Sequence, residues 1–292
     1  MASKMRSLFH DPDYYVKTFH SYYADIYNKF DVHASWADRV FGEKIVPQIR
    51  VTLGEKEEFR VLGIGSGSGE TDVIMLTKLL QRFPLINNRV VEPAEGHIAM
   101  YKALVQSKAH ELHGVNCDWR QQTIDQYEKA GDLTKFHFVH AVQSLYYVED
   151  PDRSLMYLYN LVEPGGVLLV TLSSSEKSQT HRFRVGLPSL QDDLFKHIAT
   201  ANIRDSLDRR GIPYAEYAQP SRIDVTKCFD PSSEEGAQAL DVLTHIIKFK
   251  ETASAELQAE VMQRLAEFSD KRGNKVVMIN DWDAVVVFKP ME

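Results

Sequence analysis

Val61-Leu62-Gly63-Ile64-Gly65-Ser66-Gly67-Ser68-Gly69-Glu70 is an apolar run that breaks into three alternating glycines and then a carboxylate. The pattern predicts a strand ending in a turn of bare backbone. Glycines at 65, 67 and 69 permit positive φ and let a ligand come close to the main chain. Val90-Val91-Glu92-Pro93 is a second apolar run ending in an acid, at the distance expected for the next strand of a βαβ unit. In open α/β sheets, ligands bind beyond the carboxyl ends of strands, and a carboxylate there can hold both ribose hydroxyls of a nucleoside. The two stretches together predict a site for an adenosine-containing cofactor.

Outward from this pair the period keeps alternating. Helices are predicted over 71–81 and 94–107, and strands over 89–91, 115–118 and 136–142. Asp150-Pro151 opens another helix, with an acidic cap and Pro in the first turn. Glu163-Pro164-Gly165-Gly166 stops it before a strand over 167–172. Strands alternating with helices predict a mostly parallel sheet covered on both faces. Residues 11–50 read as helical and rich in aromatics. Beyond 172 the pattern loosens into helices over 191–197, 203–210, 237–249 and 255–268, with Gly211 a plausible C-cap. Final strands are predicted over 214–217 and 276–288. The extra helices read as a cap over the cofactor-binding end of the sheet. A single domain over 1–292 is expected, in three parts. These are a helical N-terminal part of the cap (1–50), a cofactor-binding core (55–175), and substrate-binding helices with the last strands (176–292).

Of the 292 residues, 43% are hydrophobic and 26% charged, an ordinary globular balance. A net charge of −7 argues against a nucleic-acid or anionic-membrane surface, which needs an excess of Lys and Arg. Cys117 and Cys228 are too few for a disulfide framework and lack the spacing of a zinc site. No apolar run reaches the ~20 residues that span a bilayer, and the first nine residues lack the apolar core of a signal peptide. A cytoplasmic protein is expected, without membrane or nucleic-acid partners.

Two adenosine cofactors compete for the loop. A dinucleotide fingerprint needs GxGxxG, and from Gly63 the chain offers only a degraded Gly63-x-Gly65-x-x-Ser68. Glu70, directly after the glycines, would repel a pyrophosphate. It suits the cationic end of S-adenosyl-L-methionine. Tyr146 and Tyr147, in the loop after the fourth strand, fit the same choice, since a cation over a tyrosine face gains ~0.5–2 kcal/mol. Packing of the loop against the cap is the plainer role for both.

The opening Met1-Ala2-Ser3-x-Met5-Arg6-Ser7-Leu8-Phe9, the glycine loop and Asn87-Asn88-x-Val90-Val91-Glu92-Pro93 resemble the histamine N-methyltransferase family, as do Gln143-x-Leu145-Tyr146-Tyr147-Val148 and Gln191-Asp192-Asp193-Leu194. The resemblance spans almost the whole chain. It implies a Rossmann-like class I methyltransferase, α/β, with a seven-stranded mostly parallel sheet and a helical substrate-binding cap. It further implies S-adenosyl-L-methionine as donor, S-adenosyl-L-homocysteine as product, a small amine substrate methylated on an imidazole ring nitrogen, and a monomer. By position it assigns Gly65 and Glu92 to the donor, with Glu92 on the ribose and Val142 near the adenine, while Gly67, Gly69 and Glu70 join the donor site from the reading of the loop itself. Tyr15, Phe19, Gln143, Tyr146 and Tyr147 match the surroundings of the methyl group and the acceptor. Without the resemblance, Tyr15 and Phe19 read simply as core packing at i, i+4.

The departures matter as much. Asn28 stands where the family has a glutamate for the cationic amine. Asp281 follows Asn280 where the family has an asparagine that bonds the ring. Either the charge has moved to Asp281, or the substrate differs. Ser178 and Arg182 replace two tryptophan walls, which implies a wider or wetter pocket. Arg182 could there meet the carboxylate of an imidazole dipeptide such as carnosine. His97 and Ile124 replace polar residues on the donor side.

Methyl transfer from a sulfonium to a neutral nitrogen asks chiefly for proximity and alignment, worth up to ~7–11 kcal/mol. An imidazole, with pKa ~6.5, already carries a free lone pair at neutral pH, so no general base is required. Gln143, with Asp281 or Asn280, is expected to orient the ring, while Tyr15, Phe19, Tyr146 and Tyr147 exclude water. His137 and His140 lie three apart on a predicted strand and point to opposite faces, so no metal is expected. Ser189-x-x-Asp192 reads as a helix cap, Ser173–Ser175 lacks a hydrolase elbow, and 270–275 reads as a solvated turn. A donor-binding relative without catalysis is the non-enzymatic alternative.

Overall fold

The computed structural model describes residues 5–25, 29–187, 190 and 195–291. β1 (Phe59–Ile64) is an inner strand of a seven-stranded sheet with β2 (Ile86–Val91), β3 (Val115–Arg120), β4 (Phe136–Val142), β5 (Val162–Ser173), β6 (Ala215–Gln219) and β10 (Trp282–Phe288). Their order is β3-β2-β1-β4-β5-β10-β6. The pairs β1/β2, β1/β4, β2/β3 and β4/β5 are parallel. At one end of β10 the Lys289 N–H donates to Gly166 C=O, and just before its start Asp281 C=O accepts from Ser174 N–H. That strand therefore returns antiparallel to β5.

The helices α3 (Glu70–Leu80), α4 (Glu95–Ser107), α5 (Ile124–Lys129), α6 (Pro151–Leu161) and α8 (Thr200–Asp208) connect these strands. Two of these helices, α6 and α5, start on side chains that take up the orphan donors. Asp150 Oδ1 accepts from Asp152 and Arg153 N–H, both at 3.1 Å, and Pro151 is pre-set for the first turn. Thr123 and Gln126 form a reciprocal capping box on α5. Strands buried on both faces, such as β4, read as near-continuous apolar runs because helices cover each side.

The chain divides into two compact units. One comprises Phe30–Leu172, Thr200–Tyr217 and Asp283–Glu292 and carries most of the sheet. The other comprises Met1–Lys29, Ser173–Ala199 and Ala218–Trp282. It contains α1 (Pro12–Asp25), α7 (Gln179–Val185), α9 (Glu234–Thr244), α10 (Phe249–Thr252) and α11 (Ala255–Glu267). A three-stranded antiparallel sheet, in the order β7 (Arg222–Asp224), β9 (Lys275–Ile279), β8 (Asp270–Arg272), completes it. Its N-terminal segment is tied to the turn after α9. Leu8 N–H donates to His245 C=O, Ile247 N–H donates to Arg6 C=O, and Tyr14 Oη donates to Asp241 Oδ2 at 2.6 Å.

Several predicted boundaries change. The helix expected over 237–249 stops at Thr244, because His245 turns left-handed at φ 61° and Lys248 at φ 49°. Asp241 then accepts the N–H groups of Lys248 and Phe249 and restarts the chain as α10. The strand expected over 276–288 is two strands in two sheets, joined at Asn280-Asp281. Alternation along a strand carries no mark of a change of sheet. Asp270–Lys275, expected as a solvated turn, is a hairpin with Arg272 opposite Lys275. Residues 195–199 are irregular rather than helical, while Gln191–Leu194 lie outside the described residues. The helical N-terminal stretch includes α2 (Lys29–Trp36) and a π-helical segment, Ala37–Ile45.

Candidate functional site

Register levels the strand ends. Ile64 stands opposite both Val91 and Ala141, and Val142 opposite Thr171. Gly65, Glu92 and Gln143 therefore emerge along one edge, where the strand order reverses between β1 and β4. This is the crevice in which open α/β sheets bind ligands.

The three loop glycines are all left-handed, with φ 63°, 57° and 85° at Gly65, Gly67 and Gly69, yet their surroundings differ. A Cβ on Gly65 would stand 2.5 Å from Ser144 Cβ, so the loops after β1 and β4 touch there. One on Gly69 would lie 2.1 Å from the Tyr101 ring. At Gly67 none of the described residues lies within 4 Å. Packing thus demands the outer two glycines, and the middle one faces open space.

Glu92 is 5% exposed and holds the loop in shape. Its Oε2 accepts Gly67 N–H at 2.9 Å, and its Oε1 accepts Ala94 N–H at 3.0 Å with His97 Nδ1 at 3.5 Å. Oε2 has a second lone pair for a further donor. Glu70 opens α3 and accepts the Ser68 hydroxyl on both oxygens, at 2.8 and 2.7 Å. Ile124 is the buried first residue of α5, and Val142 ends β4.

Gln143 is left-handed at φ 52°, a conformation a non-glycine residue holds at a cost of ~1–2 kcal/mol. Its N–H donates to Thr171 C=O at 3.0 Å. The next residue, Ser144, donates its hydroxyl to Ile64 C=O at 2.8 Å and so pins the β4 loop to the end of β1. Tyr146 and Tyr147 follow in a short 3-10 turn with their rings edge to face at 4.5 Å. Gln143, Tyr146 and Tyr147 are thus placed on the edge that carries the glycine loop and Glu92.

The other expected residues belong to the second unit. Tyr15 and Phe19 stack at 5.0 Å, and Phe9 meets Tyr15 at 5.5 Å. Phe9 also stacks on His245, which in turn meets Phe195. This row of rings was not foreseen beyond Tyr15 and Phe19, because its members come from three distant stretches of sequence. Arg182 is exposed, with its guanidinium over the Phe268 ring at 5.7 Å. Asn280 Oδ1 accepts from Thr180 Oγ1 at 2.6 Å, and Asp281 Oδ1 accepts from Ser221 N–H at 2.9 Å. Burial pushes the Asp241 carboxyl up to about 6, against the opposing pull of Tyr14 and two backbone donors. Asn28 lies outside the described residues.

The sheet order, the level strand ends and the glycine edge define a nucleotide-binding α/β fold of the class I methyltransferase type. The Methyltransferase domain family matches residues 36–214. The YcgJ protein of Bacillus subtilis shares the fold, with a TM-score of 0.55 at 12% identity over 84% of this chain and 96% of that one. Histamine N-methyltransferase of Mus musculus is 33% identical over 298 residues, covering 98% of this chain and 99% of the relative. Carnosine N-methyltransferase 2 of Gallus gallus is 34% identical over 258 residues, covering 84% and 79%. The chain belongs to the histamine N-methyltransferase family. Among the described residues, no helix is long and apolar enough to cross a membrane.

Proposed function

We propose that this protein is an S-adenosyl-L-methionine-dependent N-methyltransferase that methylates a ring nitrogen of histamine or a closely related imidazole amine. The geometric support is Glu92, a buried carboxylate bonded to Gly67 N–H at 2.9 Å on the edge where the strand order reverses. In this reading Glu92 holds the ribose hydroxyls, and the backbone around Gly67 receives the donor's amino-acid end. Val142, Ile124 and His97 line the adenosine. When bound, S-adenosyl-L-methionine supplies a methyl group on a cationic sulfur. Gln143 orients the acceptor ring so that its lone pair faces that methyl in line, and Tyr146 and Tyr147 exclude water and face the cation. By resemblance Tyr15 and Phe19 carry an acceptor-side role, and the same role is carried to Asn280 or Asp281. No residue need remove a proton before transfer, because neutral imidazole already presents a lone pair. We assign the protein to the cytosol, as a monomer.

A second reading rests on Arg182. An exposed guanidinium over a phenyl ring is suited to the carboxylate of an imidazole dipeptide, and the Gallus gallus relative bears the name of a carnosine methyltransferase. The test is transfer of labelled methyl from S-adenosyl-L-methionine to histamine and, separately, to carnosine. Transfer to histamine at micromolar concentration supports the first reading, and a preference for carnosine abolished by Arg182→Ala supports the second. Donor binding without transfer to either overturns both.

A further inference from the structure

Behind the glycine loop lies a polar node that the reaction itself does not use. Gly63, in the middle of the sheet, leaves a hole on which three side chains converge. Ser66 Oγ, Asp72 Oδ2 and His140 Cε1 lie 2.6, 2.9 and 2.9 Å from where its Cβ would stand. Asp72 and His140 are each 2% exposed, and Asn88 and Tyr101 are fully buried. Tyr101 Oη donates to Asp72 Oδ2 at 3.3 Å and accepts from Asn88 Nδ2 at 3.2 Å. His140 Nε2 lies 3.7 Å from the same Asp72 oxygen. Among the described residues, His140 Nδ1 and Asn88 Oδ1 have no hydrogen-bond partner.

Such a node is costly to bury and could have been replaced by apolar residues. Its placement explains what it does. Asp72 sits in the first turn of α3, directly after the loop. The Tyr101 ring on α4 is the surface against which Gly69 rests. Asn88 lies on β2, four residues before Glu92, and His140 lies on β4, three before Gln143. The Tyr101–Asp72 bond therefore fixes the ring that fixes Gly69. Burial raises the Asp72 pKa and lowers that of His140, and their mutual attraction opposes both shifts.

We infer that Asp72 and Tyr101 are positioning residues for the donor, setting the glycine loop through the Tyr101–Gly69 contact. This rests on the donor reading above. Tyr101→Phe keeps the ring against Gly69 and removes only the hydroxyl. Asp72→Asn keeps a carbonyl oxygen to accept that hydroxyl, whereas Asp72→Leu does not. Donor affinity is measured by titration calorimetry with S-adenosyl-L-homocysteine, and the KM for the acceptor by label transfer, well below each variant's melting temperature. The expected result is a donor Kd raised about five- to tenfold by Tyr101→Phe, raised further by Asp72→Leu, and least by Asp72→Asn, with the acceptor KM unchanged. An unchanged donor Kd in folded Tyr101→Phe overturns the inference. So does an equal rise in both constants, which marks a merely structural role. Failure of the unaltered protein to bind S-adenosyl-L-homocysteine overturns the donor reading itself.

Discussion

Alanine at each loop glycine separates what the fold needs from what the ligand needs. In Gly69→Ala a non-glycine residue must hold φ 85° with its methyl 2.1 Å from the ring of Tyr101, which is itself fully buried. The left-handed conformation costs ~1–2 kcal/mol, and forcing a buried ring aside adds ~1–3 kcal/mol. The expected destabilisation is about 2–5 kcal/mol. Gly65→Ala meets the Ser144 side chain at 2.5 Å and should fall in the same range. Gly67→Ala has φ 57° and, among the described residues, no neighbour within 4 Å, so only the backbone cost of ~1–2 kcal/mol remains. In the proposed reading, however, its methyl would occupy the space through which the donor reaches the main chain.

The assay pairs urea unfolding, followed by circular dichroism, with calorimetric titration of S-adenosyl-L-homocysteine. Gly67→Ala should lose only that ~1–2 kcal/mol of stability and lose more than about tenfold in affinity, equivalent to ~1.4 kcal/mol. Gly69→Ala should unfold much earlier. If Gly67→Ala binds as tightly as wild type, the open face of that glycine is not the ligand face. If Gly69→Ala is as stable as Gly67→Ala, the Tyr101 contact does not constrain the loop.

Gln143→Gly should relieve the left-handed backbone at φ 52°, leaving stability unchanged or raised by up to ~1 kcal/mol, while acceptor affinity falls. Paired unfolding and transfer assays check this, and loss of stability without loss of transfer would refute it. Burial, with the nearby Arg60 charge, lowers the His137 pKa from 6.5 to about 4, and its Nδ1 accepts Arg60 N–H. As pH falls from 6.5 the unfolded chain takes up this proton first, so the contribution is full above 6.5 and is lost by roughly 3 kcal/mol at pH 4. His137→Gln, which accepts but does not titrate, should flatten that slope in unfolding curves taken across the range. Asp150→Ala removes the cap of α6 and should cost about 1 kcal/mol in unfolding free energy, with donor Kd unaltered.

The glycine edge of the sheet was legible because its signals are local. An apolar run, positive-φ glycines and an acid ending the next run lie within a few residues of one another, and parallel pairing then levels them. Gln143 was legible only through resemblance, since nothing in a glutamine announces a left-handed backbone. Ser144 was missed, because its role depends on a contact with Gly65 across the switch point. Asp72, Tyr101 and His140 were missed for the same reason. The signal available was Asp72 itself, a carboxylate beside Val73 and Leu76 on what becomes the buried side of α3. The left-handed break at His245 and the change of sheet at Asn280-Asp281 leave no periodic trace. Both depend on long-range bonds, such as Leu8 N–H to His245 C=O and Ser221 N–H to Asp281 Oδ1.

The loop's charges carry the choice of cofactor further than its glycines do. Positive φ and close backbone approach serve a pyrophosphate and a sulfonium alike. A helix N-terminus after such a loop favours an anion, and here that position is already filled by the carboxylate of Glu70, the first residue of α3. Glu92 adds a second carboxylate bonded to the same loop at Gly67. Among the described residues, neither meets a Lys or Arg within salt-bridge distance, and the basic group within that distance of Glu92 is His97 at 3.5 Å. A diphosphate would bring further negative charge against two carboxylates in a partly desolvated crevice, where screening by water is weak. A donor with a sulfonium and an ammonium reverses the sign of that interaction. Glu70→Gln should therefore weaken binding of the cationic donor more than of neutral-sulfur S-adenosyl-L-homocysteine, whereas Glu92→Gln, on the ribose that both share, should weaken the two alike, a comparison that isolates the sulfonium charge from shape.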